Sequence, residues 1–137
     1  MSVLELGGKG ILIRFPCPCC GFRVHEDPPG SHMICPVCDW EDDPVQLRWP
    51  RMPGGANKAS LYEAQRIFKE ANPHLGETVE VVKNNFKHEV RDPGWRMIDF
   101  EIDDFEDYSS LHRDPWPDDR TLLYWWRDSF WRLPGVF

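Results

Sequence analysis

Cys17-Pro18-Cys19-Cys20-Gly21 and Cys35-Pro36-Val37-Cys38-Asp39 are two C-x-x-C turns, with fourteen residues between Cys20 and Cys35. That spacing is close to the one expected of a four-cysteine structural zinc site. Each turn sets two sulfurs around a common point. Proline after the first cysteine fixes φ for the tight turn, and Gly21 tolerates the close backbone approach that follows. Two such knuckles, brought together by a hairpin, complete a tetrahedron of thiolates from Cys17, Cys20, Cys35 and Cys38. Cys19 holds in the first knuckle the place that Val37 holds in the second. Four thiolates already close the tetrahedron, so Cys19 is expected to point away from the metal as a small, partly buried hydrophobe. The sharper alternative is an oxidant-sensing thiol beside the metal.

Two other uses of cysteine compete with zinc. Secreted disulfides require export, and the start Met-Ser-Val-Leu-Glu-Leu-Gly-Gly-Lys lacks the basic head and apolar run of a signal peptide. Five cysteines is also an odd number, so an oxidised framework leaves one thiol over. A redox dithiol uses C-x-x-C too, but redox folds carry one such turn at a helix start, whereas here a second turn matches the first. Zinc is the expected cofactor, and the reducing cytoplasm the expected compartment.

Along the chain, residues 11–15 form an apolar run that predicts a strand leading into the first knuckle. Residues 22–25 and 32–34 read as the arms of a hairpin turned by Asp27-Pro28-Pro29-Gly30-Ser31, a zinc-ribbon-like layout. Trp40-Glu41-Asp42-Asp43-Pro44 reads as a solvated turn, with Trp40 screening the thiolates from water. Residues 48–58 read as a loop, and Gly54-Gly55 lacks the lysine and serine of a phosphate cradle. Ser60 with Glu63 matches a capping box and starts a helix. Leu61, Ala64, Ile67 (or Phe68) and Ala71 supply its apolar face, and Asn72-Pro73 ends it. Residues 77–91 carry both strand-favouring valines and a helical spacing of Val82, Phe86 and Val90; a helix is the expectation. In residues 97–103, Ile98, Phe100 and Ile102 alternate with Asp99, Glu101 and Asp103, the period of a half-buried strand with an acidic outer face. Residues 118–132 read as a final helix crowded with Tyr124, Trp125, Trp126 and Trp131, too apolar for one buried face.

The run Phe15-Pro16-Cys17-Pro18-Cys19-Cys20-Gly21, then Asp27-Pro28-Pro29-Gly30-Ser31, then residues 34–46 and 54–64 together resemble the cysteine-rich CPCC family of small, mostly bacterial proteins. The resemblance covers about residues 14–71. It implies metal binding through these cysteines, in a family with no settled biochemical activity. Relatives found near bacterial toxin genes imply an immunity role for some members.

Length and charge narrow the function. A chain of 137 residues suits one small α+β domain, residues 1–137, with a zinc-ribbon-like half (1–53) and a second half (54–137) holding a helix, the acidic strand and the aromatic helix. No apolar run approaches the length needed to span a bilayer. Residues 1–98 carry 13 acids and 12 bases, residues 99–137 carry 10 and 4, so nearly all of the net charge of -7 lies in the last third. Such a surface repels nucleic-acid phosphates and speeds association with a basic protein.

A closed tetrathiolate offers no open position for substrate. His25 and His32 lie near the knuckles without an orienting third residue, and His74, His88 and His112 form no ligand spacing. The expected function is therefore a non-enzymatic, zinc-stabilised binding module without a small-molecule substrate. Its expected partner is basic, possibly a toxin that it neutralises as an immunity protein. Asp99, Glu101, Asp103 and Asp104 would steer that partner, with Trp125, Trp126 and Trp131 as aromatic anchors. The alternatives are a nucleic-acid- or transcription-associated zinc ribbon and a thiol redox protein.

Overall fold

A C-x-x-C turn reverses the chain by itself, so the residues flanking one knuckle are each other's nearest partners, and closing that short loop costs little entropy. The computed structural model, which describes residues 3–6, 9–12, 14–73, 80–83, 86–109 and 113–132, is built on this. Strand β1 (Val3–Leu6) pairs antiparallel with β2 (Lys9–Leu12). Strand β3 (Phe15–Pro16) pairs with β4 (Arg23–His25) across the first knuckle. The apolar run 11–15 is thus divided between two strands.

Across the second knuckle, Ile34 bridges Glu41, with His32 N–H on the Asp42 carbonyl and Asp42 N–H on the Met33 carbonyl, each 2.9 Å. The expected hairpin of residues 22–25 with 32–34 gives way to one hairpin per knuckle.

The acidic stretch after Trp40 is structural rather than solvated. Asp42 is buried and accepts from Gly30 N–H, Ser31 N–H and the Ser31 hydroxyl at 3.0, 3.1 and 2.9 Å. Asp43 caps helix α1 (Pro44–Arg48), with Pro44 in the first turn where a missing N–H costs nothing. Inside α1, buried Gln46 gathers the 52–59 loop. Its amide donates to the carbonyls of Met52, Asn57 and Ala59, and its carbonyl accepts from Asn57.

Helix α2 (Leu61–Ala71) starts at Ser60, whose hydroxyl accepts from Glu63 N–H at 3.1 Å, and stops at Asn72, as the capping box predicts. Its buried face runs through Leu61 and Gln65 with Ala64 and Phe68 beside them, while Ile67 faces solvent.

Three expectations fail here. Residues 80–83 and 86–90 form strands β5 (Glu80–Lys83) and β6 (Phe86–Val90), paired antiparallel, not a helix, while residues 77–79, 84 and 85 of that expectation lie outside the described residues. The branched Val81 and Val82 favour extended backbone. Residues 97–103 form no strand. Their aspartates take the backbone N–H groups that a ladder would need: Asp99 accepts from Glu101 N–H at 2.9 Å, and Asp103 from Asp99 N–H at 2.8 Å. Ile98 is buried but Ile102 is 68% exposed, so the alternation does not partition core from solvent.

The last helix shrinks to one 3-10 turn (Arg120–Leu123), capped by Asp119 and followed by turns. Aromatic side chains are modest helix formers. In an irregular path Tyr124, Trp125, Phe130 and Trp131 all reach the core, which one helical face does not allow. No helix among the described residues is long and apolar enough to cross a membrane.

Candidate metal centre

The two knuckles repeat one hydrogen-bond pattern. Gly21 N–H bonds the Cys17 carbonyl at 2.7 Å, and Asp39 N–H bonds that of Cys35 at 2.9 Å. Cys17 N–H reaches the Phe22 carbonyl and Cys35 N–H that of Trp40, at 2.9 and 2.8 Å. Both turns close on a left-handed residue, Gly21 at φ +83° and Asp39 at φ +69°. An added Cβ on Gly21 would lie 2.5 Å from Trp95 Cδ2, so both conformation and space demand glycine there.

Together the knuckles bring the sulfurs of Cys17, Cys20, Cys35 and Cys38 within 4.8 Å of one another. Cys17 Sγ lies 3.6 Å from Cys38 Sγ, and Cys20 Sγ 3.7 Å from Cys35 Sγ. A tetrahedron with metal–sulfur bonds of about 2.3 Å has edges of about 3.8 Å, so these separations fit four thiolates around one ion. Val37 N–H points at Cys35 Sγ from 3.3 Å.

Burial first and the neighbouring sulfurs second hold Cys17 well above the usual thiol range, and burial likewise raises Cys20. Hydrogen bonds from Cys17, Cys19, Cys20 and Cys35 pull Cys38 well below it. A bound cation would offset the cost of burying several thiolates in one dry space.

Cys19 lies outside the four-sulfur group but touches it. The hydrogen bond to Cys38, with burial, holds its thiol well above the ordinary value. Neither neighbouring histidine joins the cluster. His25 is buried on β4 and kept neutral by burial, while His32 is exposed with Nδ1 3.4 Å from Glu41. His74, His112 and the side chain of His88 lie outside the described residues.

Distant parts of the chain hold the first knuckle. Its carbonyls are bonded by the Tyr124 hydroxyl (to Pro16, 3.0 Å), by Gln65 and Trp95 (both to Pro18, 3.0 and 3.3 Å) and by Arg91 (to Cys20, 3.0 Å). Gln65 also accepts from Ile98 N–H at 2.9 Å, tying α2 to the tail segment. Asp92 N–H bonds the Gly21 carbonyl at 2.8 Å, and its buried carboxylate receives Arg23, Arg127 and the Trp126 indole.

The sequence gives no hint of Gln65, Asp92 or Gln46 in these roles, because a glutamine on a helix and an aspartate before proline both read as solvated. Arg48 is similar. Buried on α1, it pairs with Glu106 at 2.7 Å and packs on the rings of Trp49, Trp116 and Trp131 at 4.7, 4.6 and 4.7 Å.

The expected docking residues separate. Asp99, Glu101 and Asp104 are exposed. Asp103 is taken up by Arg96, with bonds of 2.9 and 2.6 Å, and its side chain is 5% exposed. Trp125 and Trp131 are buried, Trp125 against Phe105 and the Arg96 carbonyl, Trp131 against Arg48, so neither is a surface anchor. Trp126 is part-buried, its indole N–H on Asp92 at 2.7 Å. Among the described residues after 97, the exposed large apolar side chains are Ile102 and Tyr108.

The chain belongs to the cysteine-rich CPCC family, whose model matches residues 15–89 and so covers both knuckles, α1, α2, β5 and most of β6. No curated protein matches the chain.

Proposed function

We propose that this protein is a non-catalytic module in which one zinc ion, held by Cys17, Cys20, Cys35 and Cys38, fixes a zinc-ribbon-like pair of knuckles and supports a surface that docks on a basic protein. The observation that carries the metal half is the near-tetrahedral spacing of four sulfurs in a chain of a cysteine-rich family. Zinc suits an all-thiolate tetrahedron. Four protein ligands fill the coordination sphere, which supports a structural rather than a hydrolytic role. The metal replaces apolar core that two short hairpins do not supply, and contacts from α2 and the tail segment brace the first knuckle around it.

The docking half rests on residues 99–108. Asp99, Glu101, Asp104 and Asp107 present carboxylates to solvent, with Ile102 and Tyr108 among them. The acids would govern association rate and salt sensitivity, and the two apolar side chains, in place of the buried tryptophans, would slow dissociation. Neutralising a basic toxin is the form of such docking that the family resemblance suggests.

The test is capture of partners from the native cell with the wild-type chain and with Asp99→Ser/Glu101→Ser/Asp104→Ser. The proposal expects a basic protein whose capture slows in the triple variant at low salt while zinc content stays the same. An acidic protein, a nucleic acid, or unchanged capture refutes it.

A further inference from the structure

The five sulfurs are unequally reachable. Cys17, Cys20, Cys35 and Cys19 are buried, and Cys38 alone is part-buried. A groove of about 380 Å³ opens beside it, lined by Cys38, Cys19 and Trp40 and by Ala64, Ile67 and Phe68 of α2. The groove therefore leads from solvent to one expected ligand and to the one cysteine that is not a ligand, and both residues line it. A four-thiolate site has no need of a fifth cysteine, and Val37 fills the matching place in the second knuckle with a plain hydrophobe.

We propose that Cys38 and Cys19 form a redox pair through which a hydroperoxide opens the metal centre. The inference rests on the reading that the four cysteines hold zinc. Cys38, as the reachable thiolate, attacks one peroxide oxygen. The O–O bond breaks, sulfur is oxidised by two electrons to the sulfenic acid, and hydroxide leaves. The Cys19 thiol then attacks the Cys38 sulfur, the new S–S bond forms, and water carries away the sulfenic oxygen with the thiol proton. Per peroxide, one thiolate and one thiol become one disulfide, one hydroxide and one water. Cys17 lies 3.6 Å from Cys38 but is committed as a ligand and buried, whereas Cys19 gives up no metal bond to react. Three thiolates remain, and the weakened site releases its ion. Reduction of the disulfide by a dithiol restores both thiols and the site.

The experiment uses the zinc-loaded full chain, treated without oxygen with one equivalent of hydrogen peroxide. Remaining thiols are alkylated, disulfides are mapped by peptide mass, and released zinc is read with a coloured chelator. The expected result is a Cys19–Cys38 disulfide formed first, zinc release in step with it, and full recovery of zinc after dithiothreitol. Cys19→Ser should bind zinc at the start, and a second equivalent of peroxide should carry its Cys38 on to sulfinic acid, losing about half or more of the recovery that wild type shows under the same two equivalents. A first disulfide joining Cys17 to Cys38 or Cys20 to Cys35 overturns the proposal. So does Cys19 still alkylatable after zinc has left, or a Cys19→Ser chain that recovers zinc as fully as wild type. A chain that holds no zinc before peroxide overturns the metal reading itself, a failure seen before any oxidant is added.

Discussion

Gly21→Ala should be among the most damaging small substitutions in this protein, and the structure divides its cost into parts. Gly21 closes the first knuckle at φ +83°, where any other L-residue is strained by about 1–2 kcal/mol. Its new Cβ would lie 2.5, 2.6 and 2.9 Å from Cδ2, Cγ and Cε3 of Trp95, well inside contact distance. The indole must retreat, at an overpacking cost of about 1–3 kcal/mol. Retreat also breaks the 3.3 Å bond from Trp95 Nε1 to the Pro18 carbonyl, worth about 0.5–1.5 kcal/mol. The sum is roughly 3–6 kcal/mol, a large part of the 5–15 kcal/mol that holds a typical domain. Gly54 supplies the control, since it has φ +76° but nothing within 4 Å of an added Cβ. Gly54→Ala should therefore show only the backbone strain of about 1–2 kcal/mol. Urea unfolding of both variants in excess zinc, followed by tryptophan fluorescence, measures the difference. Equal costs for the two would refute the claim that Trp95 closes over the knuckle.

Gln65→Leu should cost about 2–4 kcal/mol, since it leaves the Pro18 carbonyl with one donor fewer and the buried Ile98 N–H with none. A urea midpoint within error of wild type would show that these bonds are not structural. Asp92→Asn should cost about 2 kcal/mol, the loss from breaking a buried pair discounted because Arg23 and Arg127 are partly exposed. Burial pushes the Asp92 carboxyl up, but bonds from Arg127, Trp126 and Arg23 outweigh it and hold it below the ordinary value. Its contribution is then fully present above the unfolded value of about 3.9 and is lost only as pH falls below that, through the depressed folded value. The penalty of Asp92→Asn should accordingly stay constant from pH 7 to pH 5 in urea titrations, and a penalty that fades across that range would contradict the pairing.

Legibility in the sequence followed the range of the interaction. The knuckles, the capping box at Ser60 and the helix end at Asn72 were readable because each is decided by residues within four positions of one another. Asp43-Pro44 carries an equally local signal for α1, a capping residue before a first-turn proline, which the acidity of the stretch masks. Residues 97–103 misled because alternation measures polarity, whereas Asp99 and Asp103 spend their carboxylates on local N–H groups. The tryptophan-rich end misled in the opposite way: aromatic surplus read as exposed surface, and the fold instead buries Trp125 and Trp131 and wraps the latter around Arg48. Contacts such as Tyr124 to Pro16 join residues 108 positions apart, and no local pattern announces them.

Zinc content combined with X-ray absorption at the zinc edge tests the central claim most directly. The account predicts one zinc per chain surrounded by four sulfurs at about 2.3 Å, retained in Cys19→Ser and lost in Cys35→Ser. A first shell containing nitrogen or oxygen, or equal loss of zinc from both variants, would contradict it.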